Sequence, residues 1–311
     1  MASVRDAKGG VRESVTDDII DKMTEALTPS QDRIQLKSIQ NLEYALVYEG
    51  QSEARLKSGE PLVVLVPGVP GTERDFRYLS PLISRWAPVV RVVFPGFGEL
   101  HHVEDAPSTI EERGQYLRAI ADRESWGEVM VLGHSMGGVA SLQWALIDPR
   151  VRQLSLLCSV GVERHRGMIF GHRVARLLLN ALRWPFFGRP LLAMFRRQYR
   201  LMGFRGHPLH LRQQSLILRH VRDLDFVYVR GLIEALSTRS HLQVGLAWAM
   251  DDLVVDQSAS LALERAFRSA LSPERLATLC LQDGGHNPQR SRTKEIDRWL
   301  HSLYSHSIIN T

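Results

Sequence analysis

Short apolar runs recur along the chain and are separated by segments with helical periodicity. The first two runs alternate like the strands of a hairpin, whereas the later ones are apolar throughout, as in strands buried on both faces. Together they predict an α/β fold with a mostly parallel, doubly wound, eight-stranded sheet. The runs lie at 34–39, 44–48, 61–66, 89–94, 129–132, 154–158, 244–249 and 276–281.

The alternation of strands and helices stops between 161 and 242, where the pattern is helical throughout. We therefore predict a core formed by 31–160 and 243–311 and a helical cap formed by 161–242. The cap would cover the carboxyl edge of the sheet, where open α/β sheets bind ligands. The polar residues 1–30 are predicted to form an N-terminal arm. Helices between the core strands are predicted at 72–86, 109–123, 137–147, 258–271 and 292–303.

A candidate nucleophile, Ser135, stands in the sequence GHSMG, directly after the strand 129–132 and before a helix. A serine on such a sharp turn has a strained backbone, and the residues two before and two after must be small because the chain crosses itself closely. The turn lifts the serine hydroxyl above the sheet and aims the N–H of Met136 at the same point. The pattern and its context together predict a nucleophile elbow.

A second backbone donor for an oxyanion is expected in the loop PGVPGT at 67–72, which follows the strand 61–66. Charge that develops on an acyl oxygen needs donors already in place. Pro70 has no N–H, so Val69 is the predicted donor, together with Met136. The alternative interpretation is a tight turn that only ends the strand.

Of the twelve histidines, His286 has the context of a general base. It follows the last predicted strand in the sequence QDGGHNP, which places it at the same sheet edge as Ser135. His134 lies within the elbow and is expected to point away from the hydroxyl.

A carboxylate must hold the imidazole in the correct tautomer, and the strand 244–249 is followed at once by Asp251 and Asp252. We predict Asp252, with Asp251 as the main alternative and Asp256 as a third. Each aspartate could instead cap a helix or form a turn. The order Ser, Asp, His is the one expected for this kind of fold.

These motifs and their order resemble those of the α/β-hydrolase superfamily, and the resemblance covers about residues 31–305. The resemblance rests on the loop 67–72, the sequence FPGFG at 94–98, the elbow at 133–138, and the Asp252 and His286 corners. It implies the roles given above and a helical cap in the position of 161–242. The stretch around 70–76 is similar to a little-characterised branch, so the resemblance supplies no substrate.

Two positions depart from the superfamily pattern. Pro67 stands where members often have His before the oxyanion glycine, and Phe94 stands where they often have Asp. A serine at 135 argues against the haloalkane dehalogenase and epoxide hydrolase branches, which need a carboxylate nucleophile.

The segment from Arg164 to Arg205 contains ten arginines, interleaved with apolar and aromatic residues, and no lysine or acidic residue. One interpretation is a cap whose apolar face covers the site while its arginines face water. The other is a basic amphipathic surface that lies on an anionic membrane. No nucleic-acid partner is expected, because no groove-reading motif accompanies the charge.

Composition adds few constraints. The chain of 311 residues is 44% hydrophobic and 23% charged, which is enough for a sizeable core. Cys158 and Cys280 lie in strand-like runs and are predicted to be buried, reduced thiols. The sequence contains no apolar run of about 18 residues that would span a bilayer. A cytoplasmic location is therefore expected, with attachment to the membrane surface as the alternative.

These observations predict a serine hydrolase that cleaves a carboxylic ester or thioester of an apolar acyl or lipid substrate. No cofactor and no metal are expected. The alternatives are an acyltransferase or a carbon–carbon bond hydrolase on the same triad, and a non-catalytic binding protein on the same fold.

Overall fold

The computed structural model of the chain describes residues 33–39, 42–57, 59–103, 106–168, 171–182, 184–201 and 211–309. One sheet has the strand order β1-β2-β4-β3-β5-β6-β7-β8. β2 is antiparallel to both its neighbours, and the remaining pairs are parallel. The predicted mostly parallel α/β sheet is confirmed. Its strands are β1 (Arg33–Ile39), β2 (Leu42–Tyr48), β3 (Leu62–Val66), β4 (Val89–Val93), β5 (Val129–His134), β6 (Val151–Leu157), β7 (Gln243–Ala249) and β8 (Leu276–Leu281).

Helices cover both faces of the sheet. This is why neighbouring residues of β3 are all buried: Leu62 and Val64 pack on one face and Val63 and Leu65 on the other. Each such side chain contributes about 1.5–3 kcal/mol of hydrophobic stabilisation. The helices are α1 (Ser52–Leu56), α2 (Ser80–Ile83), α3 (Ile110–Arg123), α4 (Met136–Ile147), α5 (His172–Leu182), α6 (Pro185–Leu201), α7 (Leu211–Asp223), α8 (Phe226–Ala235), α9 (Gln257–Ala270), α10 (Pro288–Ser291) and α11 (Thr293–Ile309).

The single helix predicted at 72–86 is wrong. The segment forms a short 3-10 helix, Glu73–Phe76, followed by α2. At the start of this 3-10 helix the Thr72 side chain accepts from the N–H of Arg74, and the Asp75 side chain accepts from the N–H of Thr72. Together they form a capping box that closes the first turn. Pro81, in the first turn of α2, has no N–H to continue a helix from the preceding residues.

Helices α5 to α8 lie between β6 and β7, within the segment predicted as a cap. The described part of this segment packs on the core through buried apolar residues such as Leu216, Val229 and Leu232, and also through polar contacts. Ser108 Oγ donates to Asp223 Oδ2 (2.8 Å), and Tyr228 Oη donates to Glu111 Oε1 (2.9 Å). The predicted arm at 1–30 lies outside the described residues. Within the described ranges, no helix combines the length and the apolar character needed to cross a membrane.

The two cysteines differ from each other. Both are free thiols, and Cys158 is buried as predicted, whereas Cys280 is exposed. The prediction for Cys280 is wrong because β8 is the edge strand of the sheet, and residues along it alternate between inner and outer positions.

The buried His220 on α7 makes stability depend on pH. Burial, with the Arg113 cation nearby, lowers its pKa to about 3. In an unfolded chain a histidine binds its proton near pH 6.5, so unfolding takes up a proton between these two values. The free energy of unfolding therefore falls as the pH drops below about 6.5. We expect His220→Leu to reduce this slope by about 1.4 kcal/mol per pH unit, measured by urea denaturation at pH 7, 6 and 5. An unchanged slope would show that His220 is not kept neutral in the folded state.

Candidate active site

Ser135 forms the sharp turn between β5 and α4. Its backbone has φ 53° and ψ −125°, a region that non-glycine residues seldom occupy. Glycine is required on the far side of the turn. A Cβ at Gly137 would lie 2.4 Å from the carbonyl oxygen of Pro67, and one at Gly138 would lie 2.0 Å from Ser159 Oγ. The strained turn predicted from the sequence is thus present, and it is held by close backbone packing.

Three polar side chains form a continuous hydrogen-bonded row at this turn. Ser135 Oγ lies 3.0 Å from Nε2 of His286, and Nδ1 of His286 lies 2.8 Å from Oδ2 of Asp252. A carboxylate can only accept, so Nδ1 carries the proton and Nε2 is the acceptor for the serine hydroxyl. All three residues are buried. The structure therefore brings together the serine, histidine and aspartate that the sequence singled out.

Backbone amides fix the carboxylate of Asp252. Its second oxygen, Oδ1, accepts from the N–H of Val254 (2.7 Å) and the N–H of Val255 (3.0 Å). Burial alone would raise the pKa of Asp252, but His286 and these two amides outweigh it and hold the pKa below its ordinary value. The carboxylate is therefore ionised at neutral pH and faces the imidazole as an anion.

The two alternative aspartates lie elsewhere. Asp251 is exposed, and its Oδ1 accepts from the N–H of Gly285 (2.8 Å), so it holds the loop that carries His286. Asp256 stands directly before α9 and accepts from the N–H of Arg166 (2.8 Å). Neither contacts the imidazole in the described hydrogen bonds. Asp256 stands at the N-cap position of α9 but its side chain makes no capping hydrogen bond there, and Asp251 and Asp256 instead join distant segments of the chain.

The loop 67–72 passes close to the serine. A Cβ at Gly68 would lie 2.9 Å from Cβ of Ser135, so only glycine fits there. The N–H groups of Val69 and Met136 have no acceptor among the described residues. Two unused amides on either side of the Ser135 turn are what an oxyanion site requires. No group of three or more His, Cys, Asp or Glu side chains in the described part of the chain could hold a metal ion.

The sequence and the fold match known proteins. Residues 29–271 match the model of a family described as an alpha/beta hydrolase of unknown function (DUF1057). The chain belongs to this family.

More distant matches agree on the fold. A 2-hydroxy-6-oxononadienedioate/2-hydroxy-6-oxononatrienedioate hydrolase of Cupriavidus pinatubonensis is 32% identical over 124 residues, which is 37% of this chain and 43% of that protein. The chain thus spans less than half the length of this curated relative. Among solved structures, a candidate lipase of Acinetobacter baumannii has a TM-score of 0.65 at 14% identity and covers 98% of this chain and 100% of its own. A haloalkane dehalogenase of Bradyrhizobium elkani has a TM-score of 0.65 at 16% identity, covering 90% and 99%.

Pro67, which departs from the superfamily pattern, leaves the oxyanion loop of this α/β hydrolase to be supported by other residues. Asp75 Oδ2 accepts from the N–H of Thr72 (3.1 Å), and its Oδ1 accepts from Nη2 of Arg290 (2.6 Å). Arg290 lies on α10, just after His286. One ion pair therefore ties the loop 67–72 to the segment that carries His286, and no local sequence pattern indicates it.

His134 makes a contact that sequence reasoning missed. Its Nε2 lies 2.7 Å from the backbone carbonyl of His286, to which it must donate, and the two rings lie 4.9 Å apart. Burial lowers the pKa of His134 to about 4, so it is neutral at physiological pH. His134 therefore holds the backbone of His286, the residue whose ring forms a hydrogen bond with the neighbouring Ser135.

Removing this donor is expected to slow turnover without weakening substrate binding. We expect His134→Phe, which keeps a ring but cannot donate, to lower kcat on the order of 10-fold to 100-fold, because misplacing a catalytic group by about 1 Å costs that much. KM should stay within about twofold of wild type. The measurement is steady-state turnover of a p-nitrophenyl ester.

His134→Gln is the matched variant, because its amide can donate from nearly the same position. It should recover a large part of the lost kcat. If the Phe variant is as active as wild type, or if Gln and Phe are equally impaired, the hydrogen bond to His286 does not position the imidazole.

Proposed function

We propose that this α/β hydrolase cleaves a carboxylic ester or thioester of an apolar acyl substrate, with Ser135, His286 and Asp252 as its catalytic triad. The observation that carries the proposal is the buried row of hydrogen bonds from Asp252 through His286 to Ser135. A serine hydroxyl is a poor nucleophile unless a base accepts its proton, and this row supplies that base in the required tautomer.

The proposed reaction has two halves. Ser135 Oγ attacks the acyl carbon while its proton passes to Nε2 of His286, and the N–H groups of Val69 and Met136 hold the oxygen that becomes negative. His286 then gives the proton to the departing alcohol or thiol, leaving an acyl-serine. Water, deprotonated by His286, attacks the acyl-serine and releases the acid and the free enzyme.

The environment of the two donor amides supports an apolar acyl group. The side chains of Val69 and Met136 are half-buried and pack against the main hydrophobic cluster. A substrate carbonyl held by these amides would have apolar neighbours rather than charged ones. A cytoplasmic site of action, which the two free cysteines support, is part of the same proposal.

The proposal predicts covalent labelling of one serine. A fluorophosphonate probe should label the wild-type protein and fail to label Ser135→Ala. Labelling of Ser237→Ala, which alters an exposed serine just after α8, should match wild type.

Ester turnover by Asp252→Asn and by Asp251→Asn distinguishes the roles of the two aspartates. The first should lose on the order of 10⁴-fold in ester turnover, while the second retains an oxygen acceptor for Gly285 and loses far less.

Absence of labelling in a wild-type protein with a cooperative thermal transition would contradict the proposal. It would instead favour a protein that uses this fold for binding alone. Equal losses in Asp251→Asn and Asp252→Asn would contradict the assigned role of Asp252.

Hydrolysis of a carbon–carbon bond on the same triad is a second candidate, favoured by the Cupriavidus relative. The substrate in that protein's name, a 2-hydroxy-6-oxononadienedioate, contains no ester, so its hydrolysis must break a bond between carbons. If this candidate holds, a 2-hydroxy-6-oxo diacid should be consumed with a kcat/KM about 10-fold or more above that of p-nitrophenyl butyrate. Consumption of the diacid is measured by the loss of the absorbance of its conjugated chain. No consumption by an enzyme that turns over the ester would exclude it.

A further inference from the structure

The exposed large hydrophobic residues are concentrated on α5, α6 and the turn between them. Among the described residues nine such side chains are exposed, and six of them lie between 174 and 194. Phe186 is 87% exposed and Trp184 64%. Such a concentration of exposed apolar side chains within about 20 residues is uncommon on a monomer and marks a surface that contacts something else. The six, called here the apolar ridge, are Val174, Leu177, Trp184, Phe186, Phe187 and Met194.

The apolar ridge is distinct from the apolar face that attaches these helices to the protein. Ala175 is fully buried against Leu218 of α7, and Leu178 and Leu191 pack on the same small cluster. Leu177 and Met194 lie on the exposed sides of their helices. Helices α5 and α6 therefore carry apolar residues on an inner face, which is occupied, and on an outer face, which is open.

Four exposed arginines accompany the apolar ridge: Arg173, Arg176, Arg189 and Arg197. The segment from Arg164 to Arg205 has no acidic residue to neutralise them. Its ten arginines exceed the net charge of the whole chain, +5, so the remainder of the chain is net acidic. The positive charge of the protein is therefore concentrated where its apolar surface is exposed.

We propose that the apolar ridge and its four arginines bind an anionic lipid surface. A bilayer with acidic headgroups offers hydrocarbon and negative charge in one plane, which is the combination this face presents. Phe186, Phe187 and Leu177 would enter the acyl region, while Trp184 suits the boundary between headgroups and chains. Arginines reach phosphates while their aliphatic stems stay on the apolar side. Nucleic acid would leave the apolar ridge in water, and an apolar protein partner would leave the arginines unneutralised.

This binding goes beyond the proposed function, because it does not depend on the triad. It would set α5, α6 and the turn between them against the membrane. Helix α7, on which α5 and α6 pack, in turn reaches the loop after β4: a Cβ at Gly96 would lie 2.3 Å from Leu216. The lipid contact would thus act on helices that pack, through α7, on a loop at the carboxyl end of β4.

Vesicle flotation of the full-length protein tests the proposal. Vesicles of phosphatidylcholine with 30% phosphatidylglycerol, about the charge of an anionic leaflet, are compared with pure phosphatidylcholine vesicles. We expect binding to the anionic vesicles only, weakening as salt is raised because the charge is screened. Changing Arg173, Arg176, Arg189 and Arg197 to Gln should weaken binding on the order of 10³-fold, from about fivefold per arginine near a membrane surface. The triple variant Trp184→Ala, Phe186→Ser and Phe187→Ser should abolish binding to the anionic vesicles.

Two controls isolate the surface. Four exposed arginines elsewhere, Arg85, Arg230, Arg265 and Arg298, changed to Gln remove the same charge and should leave vesicle binding within about threefold of wild type. Ser135→Ala should bind vesicles like wild type, so that a failure of the proposed hydrolase activity does not affect this measurement. Circular dichroism of each variant checks that it is folded, as expected for changes at exposed positions.

Equal binding to neutral and anionic vesicles, no binding to either, or full binding by the aromatic variant would overturn the proposal. If the wild type is an oligomer that ignores vesicles, and the aromatic variant is a monomer by light scattering, the face is instead a contact between copies of the chain.

Discussion

The close backbone packing around Ser135 is the constraint on which the rest of the site depends. Its positive φ turns the chain back over the end of β5, and the turn is possible only because Gly137 can lie against the carbonyl of Pro67. That contact also brings the loop 67–72 beside the serine. The same lack of side chains that permits the strained turn therefore also allows Gly68 to lie against Ser135. The turn at Ser135 and the approach of the loop 67–72 are consequences of a single packing requirement.

The histidine side of the site is held differently, by polar contacts from several elements. His286 follows two glycines that have positive φ, so its loop has little rigidity of its own. Asp252 orients its ring, Asp251 holds the amide of Gly285, and His134 holds its backbone carbonyl. A catalytic imidazole on a glycine-rich loop thus gains its position from neighbours on β5 and after β7. Ser135 is therefore held by close backbone packing and His286 by hydrogen bonds from its neighbours.

Patterns that are local in sequence were sufficient to predict most of the fold and part of the candidate site. The apolar runs predicted all eight strands, and the sequence around Ser135 predicted its turn because every residue that the turn needs lies within six positions. From the sequence, Asp252 was the preferred partner of His286, but Asp251 stayed an alternative. A shift of one residue after β7 changes which of the two side chains faces the histidine. The bond from His134 to His286 and the ion pair of Arg290 with Asp75 join residues more than 150 positions apart. Such contacts depend on strand order and loop path, which no local pattern specifies. The exposure of Cys280 was missed for the same reason, since it follows from β8 being an edge strand.

Arg113 shows how the core and the helices inserted after β6 constrain each other. It is a buried cation on α3 whose Nη1 donates to the carbonyl of Met136 (3.1 Å) and whose guanidinium lies 4.1 Å from the ring centre of Phe94. Burial lowers its pKa to about 9, so it is still charged at neutral pH. Phe94 offers its ring face to this cation. Among the described residues no hydrogen bond or ion pair joins Arg113 to an acidic side chain, and its charge helps keep His220 on α7 neutral. Arg113 thus acts on a histidine of the inserted helices while it supports the backbone of Met136 in the core.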